Sequence, residues 1–282
     1  MVWGSTWIAI TYQLGQVAPE ASVFYRFLLA SVMLFAYCVA RRLPLRYSLR
    51  DHLWLAAFGI AMFGVSYIFV YYAEEYVVSG LVAVGYSASP LLGMLGLRLF
   101  YGTPMTRRMV IGSILGITGI TLVFWPEFAR LEADRNVALG ALYTGLAVVI
   151  SFAGSMMAHR NNDAGIPIWQ AMAWGMLYGA LYSLASTLVM GKPLGFESTV
   201  PYVVSLLYLT VAGSILAFAA YLTLLARIGA ARAGYTGVMV PIVALVISAL
   251  FEGFHWHPLT WIGIGISVAG NVLVLRRRIK IQ

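Results

Sequence analysis

The sequence predicts an all-α integral membrane protein of about ten transmembrane helices, built as two inverted five-helix repeats. Three observations lead there. Hydrophobic residues make up 61% of the chain and charged ones only 10%, with a mean hydropathy of +0.86, far from the composition of water-soluble domains. The apolar residues are gathered into continuous runs of about 20, the length a helix needs to cross the hydrocarbon core, and not into the short alternating strands of a barrel. Finally, one constant shift carries Pro90 onto Pro241, Phe100 onto Phe251, Gly102 onto Gly253, Gly112 onto Gly263, Gly119 onto Gly270 and Leu122-Val123 onto Leu273-Val274. Each half then holds an odd number of spans, which turns the second half upside down relative to the first. The expected division is residues 1–126 for the first repeat, 127–136 for an extracytoplasmic connection, 137–276 for the second repeat and 277–282 for a cytoplasmic tail.

In chain order, the first span is Met1 to Gly15, carrying Ser5, Thr6, Trp7, Tyr12 and Gln13. It opens without a basic leader region, so no cleavable signal is expected. The second, Ala21 to Ala40, follows Pro19, a residue suited to a helix start, and holds Arg26. The third runs from His52 to Ala73, the fourth from Val77 to Phe100 around Pro90, and the fifth from Met109 to Pro126 with Gly112, Gly116 and Gly119 on one face. The second half reads Val137 to Ala158, Ile168 to Met190, Pro201 to Ala226, Ala233 to Phe251 around Pro241, and Leu259 to Leu275 with Gly263, Ser267 and Gly270. The two small-residue faces are suited to close helix packing.

Charge supports this division. When alternate connections are assigned to opposite sides, all of the 18 basic residues except Arg26, Arg130, Arg135 and Lys192 fall on one side. All of the 10 acidic residues except Asp51 and Asp163 fall on the other. The positive-inside rule places the basic side, with both termini, in the cytoplasm. The net charge of +8 is therefore a feature of topology, and no nucleic-acid partner is expected. Cys38 is the only cysteine, which excludes an intramolecular disulfide and a cysteine metal cluster. Glu252, His255 and His257 stand beside Trp256 at a span end, where polar and aromatic residues belong, and no metal site is expected there. No phosphate-binding G-x-x-x-x-G-K-[ST] loop is present, and every carboxylate lies in a loop or at a predicted span end. An enzyme is disfavoured because no titratable pair converges at depth.

The chemistry is expected at mid-depth. Pro90 and Pro241 lack an N–H and displace the carbonyls of Tyr86 and Gly237, which must then be satisfied by neighbours or a ligand. They are read as hinges shaping a cavity; simple bends are the competing reading. Ser87, Tyr86 and Gly237 would line that cavity, together with Trp174 and Tyr178 from span seven, Tyr67 and Tyr71 from span three, Phe218 and Tyr221 from span eight, and Trp7 and Ser155 from spans one and six. The aromatic stripes recur every four residues, which serves packing or lipid contact as readily as binding. Arg26, the one charge within a span, is assigned to a gate alongside the two proline hinges. Its other readings are a substrate carboxylate site or a pair with Glu20, Glu74 or Glu75.

Trp3-Gly4-Ser5 opening the first span, Pro19 and Arg26 in the second, proline in spans four and nine, and glycine-rich spans five and ten follow an order that resembles the EamA branch of the drug/metabolite transporter superfamily. The resemblance covers nearly the whole chain and is strongest to bacterial exporters of aromatic amino acids. It implies a secondary transporter of the bacterial inner membrane that exports aromatic amino acids and related metabolites by alternating access, without ATP hydrolysis or cofactor. The small-residue faces of spans five and ten suit packing within the fold more than dimerisation, so a monomer is expected. The second half departs from the first in lacking a counterpart of Arg26, since Trp174 takes roughly that place after Pro167. Export of another small metabolite or drug, a membrane-embedded enzyme and a structural subunit are the alternatives.

Overall fold

The computed structural model describes residues 2–88, 92, 98, 102, 106–130, 135–224, 236–254 and 256–275. Among them there are helices and short turns and no strand. The helices are α1 (Val2–Thr11), α2 (Pro19–Ala40), α3 (Leu49–Glu74), α4 (Ser79–Gly85, continued by a 3-10 turn Tyr86–Ala88), α5 (Arg107–Arg130), α6 (Arg135–Asp163), α7 (Ile168–Val189), α8 (Val200–Leu224), α9 (Thr236–Phe251) and α10 (Pro258–Leu275). Of these, α2, α3, α6, α7 and α8 are long and apolar enough to cross a membrane, and α5, α9 and α10 contain shorter apolar stretches. Their outward faces are apolar too: Val110, Ile114 and Ile117 on α5, Val204 and Leu207 on α8, and Leu250 on α9 are exposed, as lipid contact requires.

Local chemistry sets the helix ends. Ser48 caps α3 by accepting the Asp51 N–H at 3.2 Å, and Pro19 and Pro201 occupy first-turn positions where their missing N–H costs nothing. Gly191, with φ of +65°, terminates α7. Several ends differ from expectation: α1 stops at Thr11, α3 begins already at Leu49, and α6 runs on to Asp163. Helix α5 continues through Pro126 to Arg130, α6 begins already at Arg135, and α3 runs on to Glu74, because a helix needs apolar residues only inside the hydrocarbon and can extend beyond it on polar ones. Pro90 lies outside the described residues.

Helices α3 and α8 each contain a π-helical stretch, Ile60–Val65 and Leu209–Leu216. Glycine lets other helices approach these segments: a Cβ on Gly59 would fall 2.0 Å from the Gly175 carbonyl oxygen of α7, and one on Gly154 of α6 would fall 3.0 Å from the backbone nitrogen of Met62. Helix α2 is joined to α7 where Ser31 donates to the Ala173 carbonyl at 2.9 Å, and Phe27, Phe63, Met172 and Leu209 fill the core between. The small-residue faces of α5 and α10 meet backbone to backbone; a Cβ on Gly263 would lie 2.6 Å from the Gly119 carbonyl oxygen, and one on Gly270 would lie 2.6 Å from that of Gly112. Helix α4 packs on α9, and α1 on α9 and α8.

Because the obstacle at Gly263 is backbone, Gly263→Ala is expected to destabilise the detergent-solubilised protein by about 1–3 kcal/mol, the usual cost of overpacking. Gly265→Ala on the same helix meets nothing within 4 Å and is expected to be neutral or slightly stabilising. Thermal unfolding of both variants checks this.

Candidate functional site

The middle of the bundle is organised by Arg26. Its side chain, 1% exposed, comes off α2 and donates through Nε to Ser214 Oγ at 3.0 Å. Its guanidinium lies over the Tyr67 ring at 4.6 Å and near that of Phe27 at 5.2 Å. Ser214 and its neighbour Gly213 belong to the π-helical stretch of α8, where an irregular turn reorients backbone and side chains. The Gly213 carbonyl accepts from the Trp3 indole at 3.1 Å, so α1, α2 and α8 meet at this turn. A Cβ at Gly213 would press on Thr6 and on Arg26 Nη2, which leaves room for glycine alone. Among the described residues Nη1 of Arg26 has no hydrogen-bond partner, nor has the buried Nε1 of Trp7.

Around this cation stands a set of rings. Trp3 packs on Phe218 at 5.0 Å and Tyr221 at 5.2 Å, Phe218 on Phe63 at 5.1 Å, and Tyr67 on Phe27 at 4.8 Å. Trp7 meets Tyr86 at 5.1 Å. Of the residues expected to line a cavity, Tyr67, Phe218, Tyr221, Trp7 and Tyr86 are thus brought together by α1, α3, α4 and α8. Tyr71 lies one turn further along α3 and donates to Gln13 Oε1 at 2.7 Å.

Others lie elsewhere. The Trp174 indole donates to the Leu45 carbonyl at 3.2 Å, and the Tyr178 hydroxyl pairs with His52 Nδ1 at 2.9 Å. Both anchor the α2–α3 connection at the basic end of the bundle, away from Arg26, because four-residue spacing fixes a shared helix face without fixing what that face meets. Ser155 donates to the Ser151 carbonyl of its own helix at 3.1 Å. Pro241 is buried within α9, where with Val84 and Asn271 it lines a cavity of about 20 Å³, room for about one water. Gly237 falls in the first turns of α9, and the side chain of Ser87 is outside the description.

The acidic end of the bundle is sealed. Glu20, fully buried, takes both carboxylate bonds from Lys192 Nζ at 3.0 Å, and Tyr72 donates to Glu20 while accepting from Lys192. Ser22 and Tyr202 pair at 3.0 Å just beneath. Glu252, at the end of α9, accepts from the Ser79 N–H at 3.1 Å and the Ser79 hydroxyl at 2.6 Å, capping the N-terminus of α4, and also from Ser248. At the basic end Arg160 bridges Asp51 at 3.3 Å. Sequence reading missed the Glu20–Tyr72–Lys192 bridge; the available signal was Lys192 itself, a basic residue standing on the acidic side. It also placed Glu74 at a span end, with a pair to Arg26 as one reading. Glu74 is 7% exposed, so a buried carboxylate does exist in this bundle. Arg26 forms no ion pair with Glu20, which Lys192 has claimed.

A helical membrane bundle that keeps a cation, unpaired donors and an aromatic lining in its interior is built as a carrier of small molecules. Comparison with known proteins narrows this class. The sequence profile of the EamA-like transporter family matches residues 1–125 and 139–276. The chain belongs to the EamA-like transporter family and is a transporter rather than an enzyme. It is 26% identical over 97% of its length to an uncharacterized inner membrane transporter, YedA, of Escherichia coli K12, covering 87% of that protein. It is 24% identical to protein PecM of Dickeya dadantii, over 100% of this chain and 93% of the relative. A solved crystal structure aligns over 99% of this chain and 95% of its own with a TM-score of 0.74 at 18% identity, which shows a shared fold.

Burial acts to lower the pKa of Lys192, but the hydrogen bonds to Tyr72 and Glu20 outweigh it and hold the ammonium above its ordinary value of 10.5. A raised lysine stabilises fully below the unfolded value and loses that contribution as pH climbs through the folded one. The thermal stability of the purified protein is therefore expected to fall above about pH 10.5. Lys192→Met should be less stable at neutral pH and lack that alkaline loss; an identical alkaline profile in the variant would remove the bridge as its source.

Proposed function

We propose that this transporter exports small metabolites, aromatic amino acids foremost, by alternating access between two inverted five-helix repeats. The observation that carries this reading is the Arg26 guanidinium, buried within rings and with Nη1 unpaired among the described residues. It offers a charge for a carboxylate, and Tyr67, Phe218, Trp7 and Tyr86 offer faces for an aromatic side chain. Arg26 acts at the same time as a gate, since it ties α2 to the π-helical turn of α8 through Ser214.

Several features support the repeat. The family profile matches two successive stretches, one in each half. The π-helical stretches of α3 and α8 recur at positions related by nearly the same shift that aligns Pro90 with Pro241. Helices equivalent under that shift pack on one another, α2 on α7, α4 on α9 and α5 on α10. With the basic end in the cytoplasm, the sealed acidic end faces outward. Export then needs that end to part, with Pro241 as a hinge in α9.

Reconstituted protein is expected to take up tryptophan and phenylalanine saturably without ATP or an imposed pH gradient, and a sugar or a cationic drug far more slowly. Arg26→Met should lower tryptophan flux about tenfold or more, the loss of one charge-assisted hydrogen bond being worth about 1.5–3 kcal/mol, and should lower any flux of tryptamine, which has no carboxylate, much less. Equal losses for both would reduce Arg26 to a structural role. Pro241→Ala should lower flux more than folding yield; unchanged flux would make it a simple bend.

A further inference from the structure

Among the described residues, Glu20, Glu74 and Glu252 are buried or half-buried where helix ends meet on the acidic side, and two of these are fully engaged. Glu20 receives Lys192 and Tyr72, and Glu252 receives Ser79 and Ser248. The third, Glu74, is 7% exposed, and neither of its oxygens has a hydrogen-bond partner among the described residues. It is the last residue of α3 and shares a face with Tyr67 and Tyr71, so it stands two turns beyond the ring that holds Arg26. None of the described groups around it donates to it. From α2, Arg26 exerts an attractive charge at a distance, and Glu20 is neutralised by Lys192 of the α7–α8 turn. From α9, Glu252 adds a like charge. Gln13, beyond the end of α1, accepts from Tyr71 of α3; Tyr86 stands at the end of α4, Tyr143 of α6 packs on Tyr72, and Glu75 follows Glu74 in the chain.

An ionised carboxylate sealed in such a place, without a donor, is strongly disfavoured, whereas the neutral acid is tolerated. We propose that Glu74 is a proton-binding site and that the acidic end of the pathway closes only when Glu74 carries its proton. The proton is taken from the solvent on the acidic side as the end closes and is returned to that side when opening hydrates the carboxylate. Nothing else is consumed, so transport remains possible without a pH gradient while its rate responds to pH on that side. The inference rests on the transporter reading only in requiring two conformations, whatever the substrate.

The test is accessibility. Val17, buried against Tyr202 and Ala21 at the acidic end, is replaced by cysteine in a Cys38→Ala background and labelled with a membrane-impermeant thiol reagent, with rates normalised to those of the exposed Tyr12→Cys. Labelling is expected to quicken as pH is raised on that side, with a ceiling of about tenfold per pH unit for one linked proton, and to be slow and flat in Glu74→Gln. A flat profile with Glu74 present, or an unchanged slope in Glu74→Gln, overturns the proposal. If Glu74→Gln does not accumulate, Glu74→Asp decides: a displaced midpoint supports the site and an identical one overturns it. Retained pH-dependent labelling with no flux of any aromatic amino acid would leave the proton site standing and remove the substrate reading.

Discussion

A guanidinium cannot shed its proton, so Arg26 imposes a charge on the interior of this bundle that its surroundings must accommodate. Among the described residues they do so without a carboxylate partner. Tyr67 presents its ring face, worth about 2 kcal/mol or more when desolvated, and Ser214 accepts one hydrogen bond. Ser214 is available because α8 departs from α-helical geometry there, and Gly213 beside it leaves space for Thr6 and the arginine together. Much of the centre follows from this single placement: α1 is drawn in through Trp3, α3 through Tyr67, and the aromatic lining closes around them.

The ends of the bundle solve a different problem with the same chemistry. Glu20 is buried and Glu252 half-buried, and both are paired, one by a lysine from the α7–α8 turn and one by the N-terminus of α4. Breaking either pair would strand a buried charge, so each holds the acidic end shut with more than surface salt-bridge strength. Glu74 lies among them without a hydrogen-bond partner among the described residues, and that asymmetry is what separates a latch from a sensor.

Close approach of helices gives the frame its rigidity. The contacts of α5 with α10 and of α3 with α7 are made by backbone atoms across glycine pairs, which lets the outer helices brace the centre without large side chains between them. On α5 and α10 these glycines were legible as small-residue faces suited to close packing. That the two faces meet each other, and that Gly59 meets Gly175, was decided by the fold, because a glycine carries no address.

By itself, the sequence determined that the chain is helical and membrane-embedded, where most of its spans lie, and that Arg26 is exceptional, because bilayer thickness and the cost of buried charge act on each segment alone. Which rings surround Arg26 was decided by the fold. Tyr67 and Trp174 have the same stripe signature, yet one faces the arginine and the other the α2–α3 connection. Tertiary structure alone also distinguished Glu20, Glu74 and Glu252. All three read as span-end carboxylates, and their roles differ only through the donors that distant helices bring, or fail to bring, within about 3 Å.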